Sequence, residues 1–317
     1  MHASLAPVSH FTIVPIGPYS LAASASFIGG FTPAAHPGAD DRGHLHLAFC
    51  VEGDWQPAGV CLTEADGAIE GDVFGPADPT AVRTQVARIL SLDVDGTRFA
   101  AVGRADPVVS DLQRRFDYLR PVLFWSPYES LAWFLIGQRI SMRQASRIKS
   151  GIARDLGPKV DVHGDVLDVF PGPRLVRDLE PTKGISDRKL VWLRAAADAA
   201  LEGRLDAARL RSMDEEAALA GLRELPGVGP FTAEGVLIRG AGAPDRITPF
   251  EPRLPRAVAH AYGLPAEPTD AEIIARAEGW RPFRSWVMVL LRLAYARDLP
   301  GEDARLHGRS GRRPPGA

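Results

Sequence analysis

Residues 225–251 read LPGVGPFTAEGVLIRGAGAPDRITPFE, and this stretch decides the fold. It opens on a glycine turn, Pro226-Gly227-Val228-Gly229, and continues as an apolar-periodic helix through Phe231, Val236, Leu237 and Ile238. A short loop then ends at Glu251, just before Pro252. Glycine lets backbone N–H groups come close to an anion, and a helix start carries partial positive charge. A phosphate suits such a turn.

The pattern on both sides of the stretch is helical. Before it, helices are predicted over 106–116, 127–136 (with Leu131, Trp133, Phe134 and Leu135), from 142 to 154, and near 173–180, 186–202 and 213–222. Residues 164–170 are the one later extended candidate. After it, residues 252–262, 270–275 and 280–297 read as helices, the last apolar on most of its surface. Residues 1–102 read differently, as a mixed α/β unit with strands at 10–15, 46–51 and 58–63 and an Asp66-Gly67 turn. A helix at 79–92 in that unit puts Val82, Val86, Ile89 and Leu90 on one face. The expected organisation is α+β: a small antiparallel-sheet domain (1–102), an all-α core (103–301) and a basic tail (302–317).

Composition is that of a globular protein: 317 residues, 45% hydrophobic and 24% charged, outside the disordered classes. A net charge of −2 argues against coating nucleic acid by bulk charge, while leaving room for a local basic face. Cys50 and Cys61 are too few for a four-cysteine iron–sulfur or zinc site. His44 and His46 alternate in GHLHL and share a strand face, with no third ligand nearby in the sequence, so no side-chain metal site is expected. The first 39 residues lack Asp, Glu, Lys and Arg. No basic segment precedes the apolar run at 21–31, and Pro15, Pro18, Gly29 and Gly30 interrupt the region. It is read as folded protein, and the chain as cytoplasmic and nucleoid-associated.

Four motifs in order resemble the helix-hairpin-helix DNA glycosylases, in particular the bacterial 3-methyladenine DNA glycosylase II family. They are SPYESLAWFLIGQRIS (126–141), GISDRKLVWLRAAADAALEG (184–203), the hairpin LPGVGPFT (225–232) and WRPFRSW (280–286). The resemblance implies an all-α helix-hairpin-helix glycosylase core of two lobes. It also implies that backbone amides around Gly227, Val228, Gly229 and Thr232 hold a DNA phosphate, often with a monovalent cation at the hairpin backbone. Contacts of that kind fix register without reading sequence. Gln138 and Arg139 fall at the turn that relatives insert into the duplex, where a guanidinium can stack on bases. Arg143, Arg147 and Lys149 follow and could meet phosphates or form a solvated face.

Glu251 stands where the family has a catalytic Asp. A carboxylate there stabilises the oxocarbenium-like sugar formed as an N-glycosidic bond breaks. Pro252 suits a first helical position, which would make Glu251 the N-cap, a role Glu fills poorly. Asp245, earlier in the loop, is read as structural. Phe231 occupies the position of the lysine nucleophile of bifunctional relatives, and phenylalanine forms no Schiff base. Phe27, Phe231 and Gly235 match base-pocket positions. Gly235 and Arg292 replace a tyrosine and a tryptophan of some relatives, so the pocket reads as more open or less aromatic.

The resemblance therefore implies a monofunctional glycosylase that flips alkylated purines from damaged double-stranded DNA, acting as a monomer without cofactor or membrane. Two alternatives stay open: a damaged-DNA-binding protein weak or inactive in catalysis, and a glycosylase for oxidised or deaminated purines.

Overall fold

The computed structural model describes residues 6–30, 43–182, 184–248 and 251–300. Its elements begin with β1 (Ser9–Ile13), α1 (Leu21–Gly30), β2 (Leu45–Cys50), β3 (Pro57–Ala65) and β4 (Ala68–Phe74). Helices α2 (Pro79–Ile89), α3 (Thr97–Ala105), α4 (Pro107–Arg115), α5 (Pro127–Gly137) and α6 (Met142–Leu156) follow. A hairpin of β5 (Lys159–Val162) and β6 (Asp165–Asp168) precedes α7 (Pro173–Arg177), α8 (Asp187–Leu201), α9 (Ala207–Ser212) and α10 (Glu215–Arg223). The chain then forms α11 (Pro230–Gly235), a π-helical turn (Val236–Ala241), α12 (Leu254–Tyr262), α13 (Asp270–Ala277), a 3-10 turn (Glu278–Trp280) and α14 (Arg284–Asp298).

The α+β class is as expected, a small antiparallel sheet followed by a helical core. Five elements escaped the sequence reading or were only partly read: α1, β4, α3, the β5–β6 hairpin and α9. β4 is the run after the Asp66-Gly67 turn, paired with β3 from Ala65↔Ala68 outward. Its interior polar residues hide the alternation. The expected helix at 252 starts two residues later, at Leu254, so Glu251 is not its N-cap. The 302–317 tail lies outside the described residues, and among those described no helix is long and apolar enough to cross a membrane.

Helix starts follow local chemistry. Asp78, Asp106, Ser126, Ser141 and Ser186 each accept a first-turn amide at the head of their helices. The sheet runs β1-β4-β3-β2, all antiparallel. Alternation puts Leu45, Leu47, Phe49, Val60, Leu62, Ile69 and Val73 on one face, and this face shares a core with α12 and α14. A second core fills the lobe built from α5 to α11. On the outer sheet face, Ala48, Cys50 and Phe74 meet Val160, Val162 and Val169 of the β5–β6 region. Covered on both sides, β2 is buried along its whole length.

Where these layers meet lies one buried guanidinium. Arg88 donates to Gly240 O (2.6 Å), Phe124 O (3.3 Å), Trp125 O and Glu52 Oε1 (2.8 Å). The other Glu52 oxygen accepts from Ala207 N at 2.9 Å. Burial pushes the Glu52 carboxyl up, and Arg88 opposes the shift. Arg88→Met removes that counterion while leaving Glu52 buried, so global stability should fall by about 3–5 kcal/mol in chemical denaturation. The double change Glu52→Gln with Arg88→Met should recover part of the loss, because no charge is then left alone.

Candidate active site

The hairpin is shaped by Gly227, whose φ is +83°. A Cβ there would sit 2.5 Å from Cδ2 of Trp192, so the turn closes onto α8 through backbone alone. Gly229, in contrast, faces open space: a Cβ would meet nothing within 4 Å. Pro230 takes the first helical position, and among the described residues no side chain caps α11. The first-turn amides of α11 are thus available to an external acceptor. Val228 and Thr232 are buried, so both hold the turn from below.

The turn at Gln138 and Arg139, expected from the resemblance to act as a wedge, is locked to the hairpin. Gln138 donates from Nε2 to Gly227 O at 2.7 Å. Lys189 Nζ donates to Ile136 O (2.6 Å) and Gln138 O (2.8 Å). Arg139 is exposed and has φ +60°, a left-handed backbone that costs a non-glycine residue on the order of 1 kcal/mol. That cost is sustained by the two anchors just before it, at Ile136 and Gln138, and it leaves the Arg139 side chain exposed. Arg143 and Arg147 are exposed beyond it. Lys149 does not join them: it is buried, 2.6 Å from Glu129 and 5.4 Å from the Phe170 ring centre.

Glu251 follows the hairpin helix and the π-helical turn. It is 6% exposed. Oε1 accepts from Arg253 Nε at 2.9 Å and Arg253 N at 3.2 Å, and Oε2 lies 3.1 Å from Arg292 Nη1. Burial alone would raise its pKa, but Arg292 and Arg253 outweigh it and hold the carboxyl below the ordinary glutamate value. Glu251 is therefore an anion. Arg239, on the π-helical turn, donates to Val122 O at 2.8 Å and lies 5.5 Å from the Phe27 ring centre. Burial, then Arg292, push its guanidinium down to about 9, with Glu251 opposing. Asp245 is engaged by Arg284 Nε (2.8 Å) and Arg281 Nη1 (2.7 Å), a bracing role as expected.

The aromatic positions divide. Phe231 is 46% exposed and meets Phe134 edge-on, 5.6 Å between centres and 87° between planes. A Cβ at Gly235 would lie 2.3 Å from the Phe134 ring, so Phe134 of α5 fills the space that a side chain at 235 would take. Phe27 is partly buried against the sheet core and faces Arg239. Sequence reasoning missed Phe134, Arg239 and Arg253. Phe134 had a signal, lying four residues before Gln138 on the wedge helix; the arginines had none.

No family model matches the chain. It is 26% identical over 205 residues to the DNA-3-methyladenine glycosylase of Bacillus subtilis, covering 63% of this chain and 67% of that one. It is 28% identical over 163 residues to DNA-3-methyladenine glycosylase 2 of Escherichia coli, covering 49% of this chain and about half, 53%, of that one. Among solved structures, a 3-methyladenine DNA-glycosylase from Archaeoglobus fulgidus superposes with a TM-score of 0.71 at 22% identity, covering 92% of this chain and 99% of that one. In sequence and in fold the chain is similar to the helix-hairpin-helix DNA glycosylases. Among them, the resemblance is to 3-methyladenine DNA glycosylase II.

The ionised state of Glu251 has a measurable signature. Its folded pKa is depressed, so its pairing stabilises the fold above the ordinary glutamate value of 4.5 and is lost as pH falls through the lower folded value. Glu251→Gln should cost about 1–3 kcal/mol at neutral pH. In denaturation series the gap between variant and native protein should close below pH 4.5.

Proposed function

We propose that the chain is a monofunctional DNA glycosylase of base excision repair. Its substrate is an alkylated purine of the 3-methyladenine kind in duplex DNA, and its product is an abasic site. It works as a monomer on chromosomal DNA in the cytoplasm. The observation that carries this reading is Glu251, a buried carboxylate held between Arg253 and Arg292 in the loop that follows the hairpin helix and its π-helical turn.

In the proposed reaction the hairpin amides around Gly227 and Gly229 take a phosphate, and Arg139 enters the stack as the nucleotide swings out. Flipping costs a few kcal/mol, least at a damaged pair. An alkylated purine is already cationic and departs as a neutral base when the C1′–N bond breaks. The sugar is left as an oxocarbenium ion, and the Glu251 carboxylate stabilises it electrostatically. Water then bonds to C1′ and loses a proton, completing hydrolysis. Phe231 and Phe134 supply aromatic surface to the base. With phenylalanine at 231 no amine is present at that position to form a Schiff base, so the strand stays uncut.

A second reading, damaged-duplex binding without hydrolysis, is favoured by one observation. Both oxygens of Glu251 are already engaged by arginines, Arg253 and Arg292. The deciding experiment is incubation with alkylated duplex DNA, reading free bases by mass spectrometry and abasic sites by alkali cleavage. Native protein should release 3-methyladenine-type bases without borohydride-trapped adducts, and Glu251→Gln should be at least about 100-fold slower. Binding of a lesion panel with no base released would establish the second reading. Release confined to oxidised or deaminated purines would keep the chemistry and move the substrate.

The phosphate site has its own test. Gly229→Ala fits the fold, because open space surrounds the new methyl and φ is −95°. It should leave the melting temperature unchanged and weaken duplex binding about 10-fold, equally for damaged and undamaged DNA, as befits a backbone contact.

A further inference from the structure

The outer face of the sheet carries a row of side chains foreign to the glycosylase site. Register pairs His46 with Cys61, Cys61 with Asp72, and Asp72 with His10, one residue from each strand. His44, two residues before His46, joins the β2 end of this row. The ligand atoms of His44, His46 and Cys61 all lie within 4.8 Å of one another. His44 Nδ1 is 3.6 Å from Cys61 Sγ. His46 and Cys61 are buried, and His44 is partly exposed at the strand's edge.

We propose that His44, His46 and Cys61 bind a borderline divalent transition-metal ion of the zinc class, with water in the fourth position. Two imidazoles and a thiolate are the donor set such an ion prefers over oxygen-seeking magnesium or calcium. Zinc bonds of about 2.0–2.3 Å imply ligand separations of roughly 3.3–3.8 Å in a tetrahedron. The His44–Cys61 edge already fits, and the remaining contraction is about 1.5 Å or less, an adjustment that the partly exposed His44 ring can share. The imidazole of His46 is also backed in the way metal ligands are: its Nδ1 lies 2.7 Å from Asp165 Oδ2, so Nε2 is the ring atom that would serve the ion. Asp165 belongs to β6, so the ion would fasten the β5–β6 hairpin to the sheet, a structural role remote from base excision.

The same face holds its own controls. Cys50 is the other thiol, its Sγ 3.5 Å from Phe170 O and its pKa pushed up to about 12 by burial. His10 sits at the far end of the row, 2.7 Å from Glu70 and 3.1 Å from Asp72.

The test is titration of the reduced, chelator-treated full chain with Co2+, followed by displacement with Zn2+. Expected is one saturable equivalent, with tetrahedral d–d bands and a thiolate-to-cobalt charge-transfer absorption. Cys61→Ser should abolish the charge-transfer band, whereas Cys50→Ser and His10→Asn should retain it. Asp165→Asn should weaken affinity about 10–100-fold. His44→Gln, at a partly exposed position that leaves the core intact, should weaken it at least 10-fold even if Cys61→Ser folds poorly. Absence of a saturable band, its survival in Cys61→Ser, or unchanged affinity in His44→Gln would overturn the proposal.

Discussion

The guanidinium of Arg88 decides how the two halves of the molecule meet. It reaches from α2 into a space bounded by the loop at Glu52, the strand-like segment at Phe124 and Trp125, and the π-helical turn at Gly240. Trp125 O has a second donor in Gln85 Nε2 at 3.0 Å, but Phe124 O and Gly240 O rely on this guanidinium, and a buried carbonyl left without a partner costs on the order of 1–3 kcal/mol. Glu52, its counterion, also accepts from the first amide of α9. One side chain thus satisfies groups from the sheet domain and the helical lobe together. A rigid π turn is the consequence. Phe124 N donates to Arg239 O at 2.8 Å within the same knot. The helix that begins at the glycine hairpin therefore ends at a fixed place, with Arg239 beside Phe27.

That placement sets the electrostatics around Glu251. Three guanidiniums from three elements, Arg239 on the π turn, Arg253 before α12 and Arg292 on α14, surround one carboxylate. Arg292 and Arg253 keep the carboxylate charged, while burial first and Arg292 second lower the pKa of Arg239. A cluster with this excess of positive charge attracts an anion more readily than a cation. For the proposed reaction the order of events matters accordingly. DNA phosphates must enter with the nucleotide and offset the arginines before a sugar cation can form beside Glu251. In the proposed reaction the extra methylene of glutamate over aspartate, about 1.5 Å of reach, would let the carboxylate leave one arginine and approach the sugar.

Local chemistry made much of this legible from sequence. The glycine hairpin, the wedge turn and their order along the chain need only a few residues each, and the structure brings Gln138 and Gly227 into direct contact. What could not be read was pairing at a distance. Lys149 looks like one of three exposed cations on α6, yet its register turns it inward to Glu129. His44 and His46 look isolated because Cys61 reaches them only through antiparallel pairing of β2 with β3. The arginines around Glu251, Arg239, Arg253 and Arg292, lie 12, 2 and 41 residues away in sequence; Arg292 stands out only as a pocket position, and nothing local marks any of them as a partner of the carboxylate. The β4 strand was obscured for a related reason: its outward residues Glu70 and Asp72 serve His10, so polarity masks the strand's period.

Gly235 shows the limit of reading a pocket one position at a time. A glycine where relatives carry a bulky ring predicts empty space. In the folded chain the Phe134 ring lies where the Cβ of residue 235 would be, and it turns its edge toward Phe231. Aromatic surface has moved from the hairpin helix to the wedge helix without leaving the site. The two positions are coupled by volume: a side chain at 235 would have to displace Phe134, and close-packed interiors resist such displacement by about 1–3 kcal/mol or more. Phe134 also lies on the helix that ends at Gln138 and Arg139. In the proposed reaction the aromatic contact with the base and the turn at Arg139 would be carried by one helix, so a base seated against Phe134 would fix the reach of Arg139.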